Sequence, residues 1–531
     1  MIHIHLTHNK GYKWFSKDNE IWVKGYLSST DNQILNEEKL LDYFAEITSF
    51  DEFQKRISQA NGLFSVVIRR NQSVWVSIDH TWAFPLFYYN KQDLFMITDN
   101  PKEFQRISIP LVLNEANAFS LTYSGFVIGN KTLLNDIFQL QPGESLCFEN
   151  SILTAKSHTN YLTEILSDKN REELKAELKS LLEAVGKRMI QVLNNRPVAI
   201  PLSGGFDSRL IAYLLKKNNY PNVICYTFGM SHTIERNNAK RTAERLGYKF
   251  HFVDYEKYSN QPLSHDKIFK KYVNFSSNYC CTFAEQDYYA MQELTANSLI
   301  PKNTVFIPGH SGAVAGDLLS KKMMADDFPF LDYIMEHIFS YVYPRKKERK
   351  AIRENIDLST DQQGKYPPYM IYEDWRFHET TPKFGYNASK IWDFFGYEYL
   401  LPLADKTLFD FFIHLPFVHK YDKNLYKETL SELFKEYDIL FDNEELYPSE
   451  QLVKKVAFRS KLKKHFPFLK RFVNIEKNDH SGARYYSRSF VEELKAAGNY
   501  RKMLSSNGIF SEWYLLQVKN ELKSLSDETT N

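Results

Sequence analysis

The chain has 531 residues, enough for two or three domains. Its 67 Lys+Arg against 65 Asp+Glu leave a formal net charge of +2, which argues against a dedicated nucleic-acid binder. No apolar run reaches the ~20 residues a membrane helix needs, and the four cysteines lack the spacing of a zinc site or disulfide framework. Reduced thiols and a start, MIHIHLTHNKGYKW, without a secretion signal point to a cytoplasmic protein.

Residues 1–165 are rich in short strand-like runs, at Gly62 to Ile68, Ser73 to Ile78 and Leu94 to Thr98. Turn formers separate them, including Asn71-Gln72, Asn90-Lys91 and Pro142-Gly143. This texture predicts a layered antiparallel domain. From Asn170 to Asn194 the residues Leu174, Leu178, Leu181, Leu182, Val185 and Met189 recur at helical spacing and predict a bridging helix. Beyond Pro197 strands and helices alternate: Val198 to Leu202, Ser208 to Lys217, Val223 to Phe228, Glu235 to Leu246 and Lys249 to Val253. Alternation of this kind predicts a parallel sheet with helices on its faces, and a ligand beyond the carboxyl ends of the strands. After roughly residue 320 the chain reads as mostly helical. A second unit is therefore expected over 170–531, in an α/β chain overall.

The most informative stretch is Ser203-Gly204-Gly205-Phe206-Asp207-Ser208, between the apolar run Val198 to Leu202 and an amphipathic helix. Two glycines let backbone approach an anion, and a helix start offers free N–H groups and a favourable dipole. The serines add hydroxyl donors. Asp207 cannot help bind bare phosphate, so it suggests a metal bridging phosphate and protein. The plain alternative is an ordinary strand–turn–helix with a capping serine. No Gly-Lys-Ser/Thr follows, so this is not a Walker loop.

This stretch resembles the pyrophosphate loop (PP-loop) of the N-type ATP pyrophosphatases, which cleave ATP between its α and β phosphates. Further fragments, in order, are similar to the asparagine synthetase family. They are Asn61-Gly62-Leu63-Phe64-Ser65, Ser77-Ile78-Asp79 with Phe84 to Tyr89, and Leu140-Gln141-Pro142-Gly143. Glu235, Ala239, Ala243 and Leu246-Gly247 follow, then Gly396 to Asp405, with Leu400 where the family has arginine. The resemblance implies an N-terminal Ntn-like (αββα) amidotransferase-type domain over 1–165. It implies a PP-loop ATP pyrophosphatase domain with a helical C-terminal part over 170–531.

Three departures qualify the resemblance. Glutamine-dependent members carry a nucleophilic Cys after the initiator Met; here position two is Ile2, which has no nucleophile, so no glutaminase activity is expected. Asp79 then reads as a structural relic, and His3 and His5 as residues of an edge strand. Secondly, Gly309-His310 replaces the family's glutamate-containing loop. The β-lactam synthetases carry tyrosine at the His310 position, and lasso-peptide cyclases a similar Gly-His pair. In those relatives the side chain there pairs with the glutamate matched by Glu398 and deprotonates an amine. A His–Glu pair suits such general-base work. Thirdly, Ala313 stands where the family has a second metal-binding Asp, with Asp317 four residues on.

A lysine must meet departing pyrophosphate, and Lys454 or Lys455 is the expected match. The implied site holds ATP on Ser203, Gly204, Gly205, Ser208 and Gly309, with Mg²⁺ on Asp207 and proton handling by His310 and Glu398. The implied partners are a small-molecule carboxylate and an amine or ammonia, with no nucleic acid and no membrane. The sequence leaves the acid, the nitrogen donor and a homodimer open. It also leaves open an intramolecular cyclase and a non-catalytic ATP-binding protein.

Overall fold

The structure is a computed structural model. It describes residues 1–31, 33–230, 233–310, 314–316, 318–343, 345–356, 364–441, 483–501, 503 and 505–530. Ala313, Asp317, Lys454 and Lys455 lie outside the described residues.

The architecture is mixed α/β, with antiparallel pairing in the first third and a parallel sheet after it. The opening strands are β1 (Ile2–His5), β2 (Trp14–Lys17), β3 (Ile21–Ser28) and β4 (Ile34–Asn36), followed by helices α1 (Glu37–Ala45) and α2 (Phe50–Ser58). Next come β5 (Asn61–Arg70), β6 (Ser73–Ile78), β7 (Phe87–Lys91), β8 (Leu94–Thr98), helix α3 (Glu115–Ser124), β9 (Phe138–Gln139), β10 (Glu144–Glu149) and β11 (Ile152–Ser157). They form one sheet in the order β11-β10-β6-β5-β3-β2, with β4 on β3, and a second in the order β1-β8-β7-β9. One pairing departs from the antiparallel expectation: β1 runs parallel to β8, with Ile2 opposite Phe95.

Period-two alternation places these sheets. Along β5, Leu63 and Val67 join the main core, while Phe64, Val66 and Ile68 join a separate outer core with α1 and α2. In β6 Val74, Val76 and Ile78 turn inward and Trp75 outward. Phe95 of β8 stacks on Phe148 of β10 at 4.5 Å between centroids, so the two sheets meet face to face.

Helix α4 (Arg171–Leu193) then buries Leu174, Leu178, Leu182, Val185, Met189 and Leu193 on one face. Asn170 caps its start, forming a reciprocal box with Glu173, and Asn194 ends it in a left-handed conformation. Each fully buried Leu or Val on that stripe contributes roughly 1.5–3 kcal/mol relative to exposure.

The parallel sheet comprises β12 (Val198–Pro201), β13 (Val223–Gly229), β14 (Lys249–Asp254), β15 (Val305–Phe306) and β16 (Glu398–Tyr399), ordered β14-β13-β12-β15-β16. Crossover helices α5 (Phe206–Lys217) and α6 (Ile234–Leu246) link the first three strands, and α7 (Lys267–Ser277) and α8 (Tyr288–Ala296) precede β15. Gly247 ends α6 with a φ of +73°, a conformation that favours glycine. The chain winds outward from β12 in both directions. The carboxyl ends of β12 and β15 therefore form a topological switch point, where such sheets hold ligands. Helices at Pro368–His378, Lys406–Ile413, Asn424–Phe434, Ala483–Ala496 and Ser506–Thr530 follow.

The two parts share one core. Asp393 accepts the backbone N–H groups of Gly11 (2.7 Å) and Tyr12 (3.0 Å), and Tyr12 donates its hydroxyl to the Tyr399 carbonyl. Arg188 pairs with Asp405 at 2.8 Å, and Lys406 N–H donates to Asn61 Oδ1. All four cysteines are buried and unbridged. No described helix is long and apolar enough to cross a membrane.

Candidate active site

A cleft of about 320 Å³ opens at the switch point. It is lined by the turn after β12 (Ser203, Gly205, Asp207, Ser208), by Pro308-Gly309-His310 after β15, and by Tyr226, Phe228, Asp287 and Trp392. A recess between Asn61-Gly62 and Leu400 to Asp405 holds only about 40 Å³, too little for a nucleotide.

The turn is tied internally. Ser203 N–H donates to Ser208 Oγ at 3.0 Å, the two hydroxyls lie 2.9 Å apart, and Gly205 N–H reaches Ser203 Oγ at 3.3 Å. Beneath it the buried Arg209 donates to the Gly204 carbonyl at 2.7 Å and to the Ile439 carbonyl at 2.9 Å. Its guanidinium stacks on Phe441, and burial lowers its pKa to about 10. Gly205 starts α5 without any side-chain cap. The first N–H groups of that helix thus face the cleft without a capping side chain, as an anion site requires. Gly309 is needed for contact: a Cβ there would lie 2.3 Å from Ser208 N, so the β15 loop rests directly on the turn.

These residues fit a nucleotide. There is an uncapped helix start for phosphate, and there are aromatic walls from Phe228 and Trp392. The described lining also carries three carboxylates, Asp207, Glu235 and Asp287, and no lysine or arginine. A polyphosphate would be repelled there unless a divalent cation intervened. Among the described residues no group of three His, Cys, Asp or Glu side chains could hold an ion unaided. An ion on Asp207 would need phosphate oxygens and water as further ligands, which suits Mg²⁺. Asp207 itself is engaged: Tyr426 donates to Oδ1 at 2.8 Å, and Lys423 lies 3.2 Å from Oδ2.

The expected His310–Glu398 pair is not formed. Glu398 opens β16 in register with Val305, at the amino end of the sheet, whereas His310 lies past the carboxyl end of β15. Its carboxylate pairs with Arg196, 2.6 Å away, just before β12. Parallel register decides this, because Glu398 stands level with Val305, well before His310 along the chain. The partner of His310 is Ser389, with Nδ1 3.2 Å from Oγ. Burial lowers the His310 pKa to about 4, Asp207 opposing, so the imidazole is neutral at pH 7.

Several cleft residues escaped the sequence reading. Tyr226 donates to Asp287 Oδ1 at 2.8 Å and accepts from Trp392 Nε1 at 3.2 Å. Neither these nor Lys423, Tyr426 and Arg209 stand in a motif, and no local signal marks them.

In the first part, Asp79 is enclosed. It accepts Phe64 N–H at 3.0 Å, Thr81 N–H at 2.6 Å and the Thr81 hydroxyl. Burial raises its pKa to about 6 against those hydrogen bonds. β1, with His3 and His5, is an edge strand.

Residues 177–265 match the asparagine synthase family model. Comparison with curated proteins returns no match. Among solved structures, the allosteric regulatory enzyme of purine biosynthesis is 12% identical at a TM-score of 0.19, over 48% of this chain and 64% of that one, under two thirds of its length. The NH3-dependent NAD synthetase from Campylobacter jejuni is 15% identical at a TM-score of 0.22, over 40% and 96% of the two chains. The NMN synthetase from Francisella tularensis is 15% identical at 0.18, over 38% and 78%. Scores this low carry no argument about this chain. The matched segment contains β12, the glycine turn, α5, β13, α6 and β14, and over those residues the chain is similar to asparagine synthase.

Proposed function

We propose that the chain is an ATP-dependent, amide-forming ligase of the asparagine synthetase type. The asparagine synthase segment supports an amidating ligase in general. The finer reading rests on one observation: an uncapped helix start, framed by Ser203 to Ser208 and braced by Gly309, opens into a cleft at the switch point. In this reading the N–H groups of the turn and the hydroxyls of Ser203 and Ser208 hold the pyrophosphate of ATP. Asp207 is the carboxylate for Mg²⁺, which when bound neutralises phosphate charge. A carboxylate substrate attacks the α phosphate, giving an acyl adenylate and pyrophosphate. Nitrogen then attacks the acyl carbon, and AMP leaves. His310, neutral and held by Ser389, orients the reacting groups. Lys454 or Lys455 meets the departing pyrophosphate.

The domains are proposed as 1–165, amidotransferase-like without its nucleophile, and 170–531, of the PP-loop type. With Ile2 in place of cysteine, the nitrogen comes from free ammonia or an amine rather than from glutamine hydrolysed on the chain. An acidic sugar of a surface polysaccharide is one candidate acid; ring closure within one molecule is the other route.

One observation favours a second reading. Lys423 and Tyr426 engage both oxygens of Asp207, as a salt bridge replacing the metal would in a non-catalytic nucleotide-binding protein. Acid-dependent exchange of labelled pyrophosphate into ATP separates the two. The ligase exchanges, and Asp207→Ala weakens that exchange; nucleotide binding without exchange across a broad acid panel selects the second reading.

A further inference from the structure

We propose that Asp287 is the carboxylate that accepts the proton of the attacking nitrogen in the amide-forming step. The inference rests on the ligase reading. Asp287 lines the same cleft as the turn after β12 and His310. It stands immediately before α8, yet its side chain does not cap that helix. Two side chains from separate elements, Tyr226 and behind it Trp392, hold it instead. The Trp392 indole can only donate, so Tyr226 accepts from it and must turn its single hydrogen onto Asp287 Oδ1. No second donor among the described residues reaches this carboxylate.

The other acids and bases near the cleft are worse placed, Glu235 being exposed in the first turn of α6. Glu398 is paired with Arg196 at the far end of the sheet. Asp207 is engaged by Lys423 and Tyr426. His310, with a pKa of about 4, is a weak base. Burial raises Asp287 to about 6, with the Tyr226 hydrogen bond opposing. A base near 6 is mostly ionised at pH 7 and still takes a proton far more readily than one near 4.

Its titratable surroundings are Tyr226 on β13, Tyr255 and Tyr272 from neighbouring elements, its neighbour Glu285, and Glu235 and His310 on the cleft. None of them is a lysine or arginine that would repel an incoming ammonium. Tyr226 and Trp392 present aromatic groups to the same space, which also suits a cationic amine.

The ammonium form loses one proton to water, and the neutral amine attacks the acyl carbon. The C–N bond forms, and the acyl C–O bond breaks with its electron pair on AMP. The surplus nitrogen proton passes to Asp287 and then to water.

The test uses the full chain with ATP, MgCl2 and aspartate, glutamate, glucuronate or galacturonate, and ammonium chloride or methylamine as nitrogen source. Pyrophosphate exchange reads the first step, and mass spectrometry of the amide reads the second. In Asp287→Asn, amide formation is expected to fall about a hundredfold further than exchange does, with partial recovery in Asp287→Glu. Tyr226→Phe removes a hydrogen bond to the ionised carboxylate, so the acid limb of amide formation moves to higher pH. Equal loss of both steps in Asp287→Asn, or amide formation at the wild-type rate, overturns the proposal. Should Asp287→Asn fail to fold, an unmoved limb in Tyr226→Phe overturns it. Absence of exchange in the wild type with every acid overturns the ligase reading itself, a different failure.

Discussion

Two aspartates with raised pKa values divide this molecule. Asp79, in the antiparallel part, accepts three hydrogen bonds from Phe64 and Thr81 and closes a turn. Asp287, at the mouth of the parallel sheet, accepts one, from Tyr226, and lines a cleft of about 320 Å³. Burial raises both to about 6. A shifted carboxylate is thus not by itself a reactive one; what differs is whether its lone pairs are already spent and whether a substrate can arrive. The same contrast separates the regions as wholes. Between Asn61-Gly62 and the second part only about 40 Å³ remains, whereas α5 starts uncapped over an open cleft.

The sharpest test of that contrast is Gly309→Ala. Its Cβ would meet Ser208 N at 2.3 Å, forcing the turn to shift. A displacement of about 1 Å at a reactive site costs roughly 100-fold, so pyrophosphate exchange should fall by at least that factor. Asp207→Ala should reduce exchange by a similar or smaller factor while raising the magnesium concentration needed for half activity.

Asp79→Ala should act in the opposite register. It strands the buried N–H groups of Phe64 and Thr81, costing about 1–3 kcal/mol for each group left unpaired. Denaturant unfolding should show this loss, while exchange per folded molecule stays near the wild-type value. The pH sign is set by the raised pKa. Asp79's contribution to stability is present in full below its ordinary value near 3.8 and is lost as pH rises through about 6. The unfolding free energy of wild type relative to Asp79→Asn should therefore decline across that window. The smallest effect is expected from Glu398→Gln. Its partner Arg196 is about a quarter exposed, and such pairs contribute roughly 0–1 kcal/mol. A drop in amide formation larger than about tenfold in this variant would return Glu398 to the site.

Much of the scaffold was legible in the chain because it is local. Asn170 with Glu173 marks the start of α4, Asn194 its end, and Gly247 the end of α6. Alternation in Ser73 to Ile78 reads directly as a strand with two faces. Ser203 to Ser208 is likewise a contiguous motif, and its turn and helix start follow from its own residues.

The proton-handling groups were not legible, because they depend on register and on partners far apart in sequence. Glu398 matched a motif, but parallel pairing with Val305 turned it toward Arg196. Tyr226 and Asp287 are 61 positions apart, and Tyr226 and Trp392 are 166 apart. Strands, caps and the glycine turn follow from the chain alone, since each arises from interactions within a few residues. Which side chains meet at the cleft is settled on folding, because strand register and helix docking, set by burial across the whole core, carry distant residues to one end of the sheet or the other.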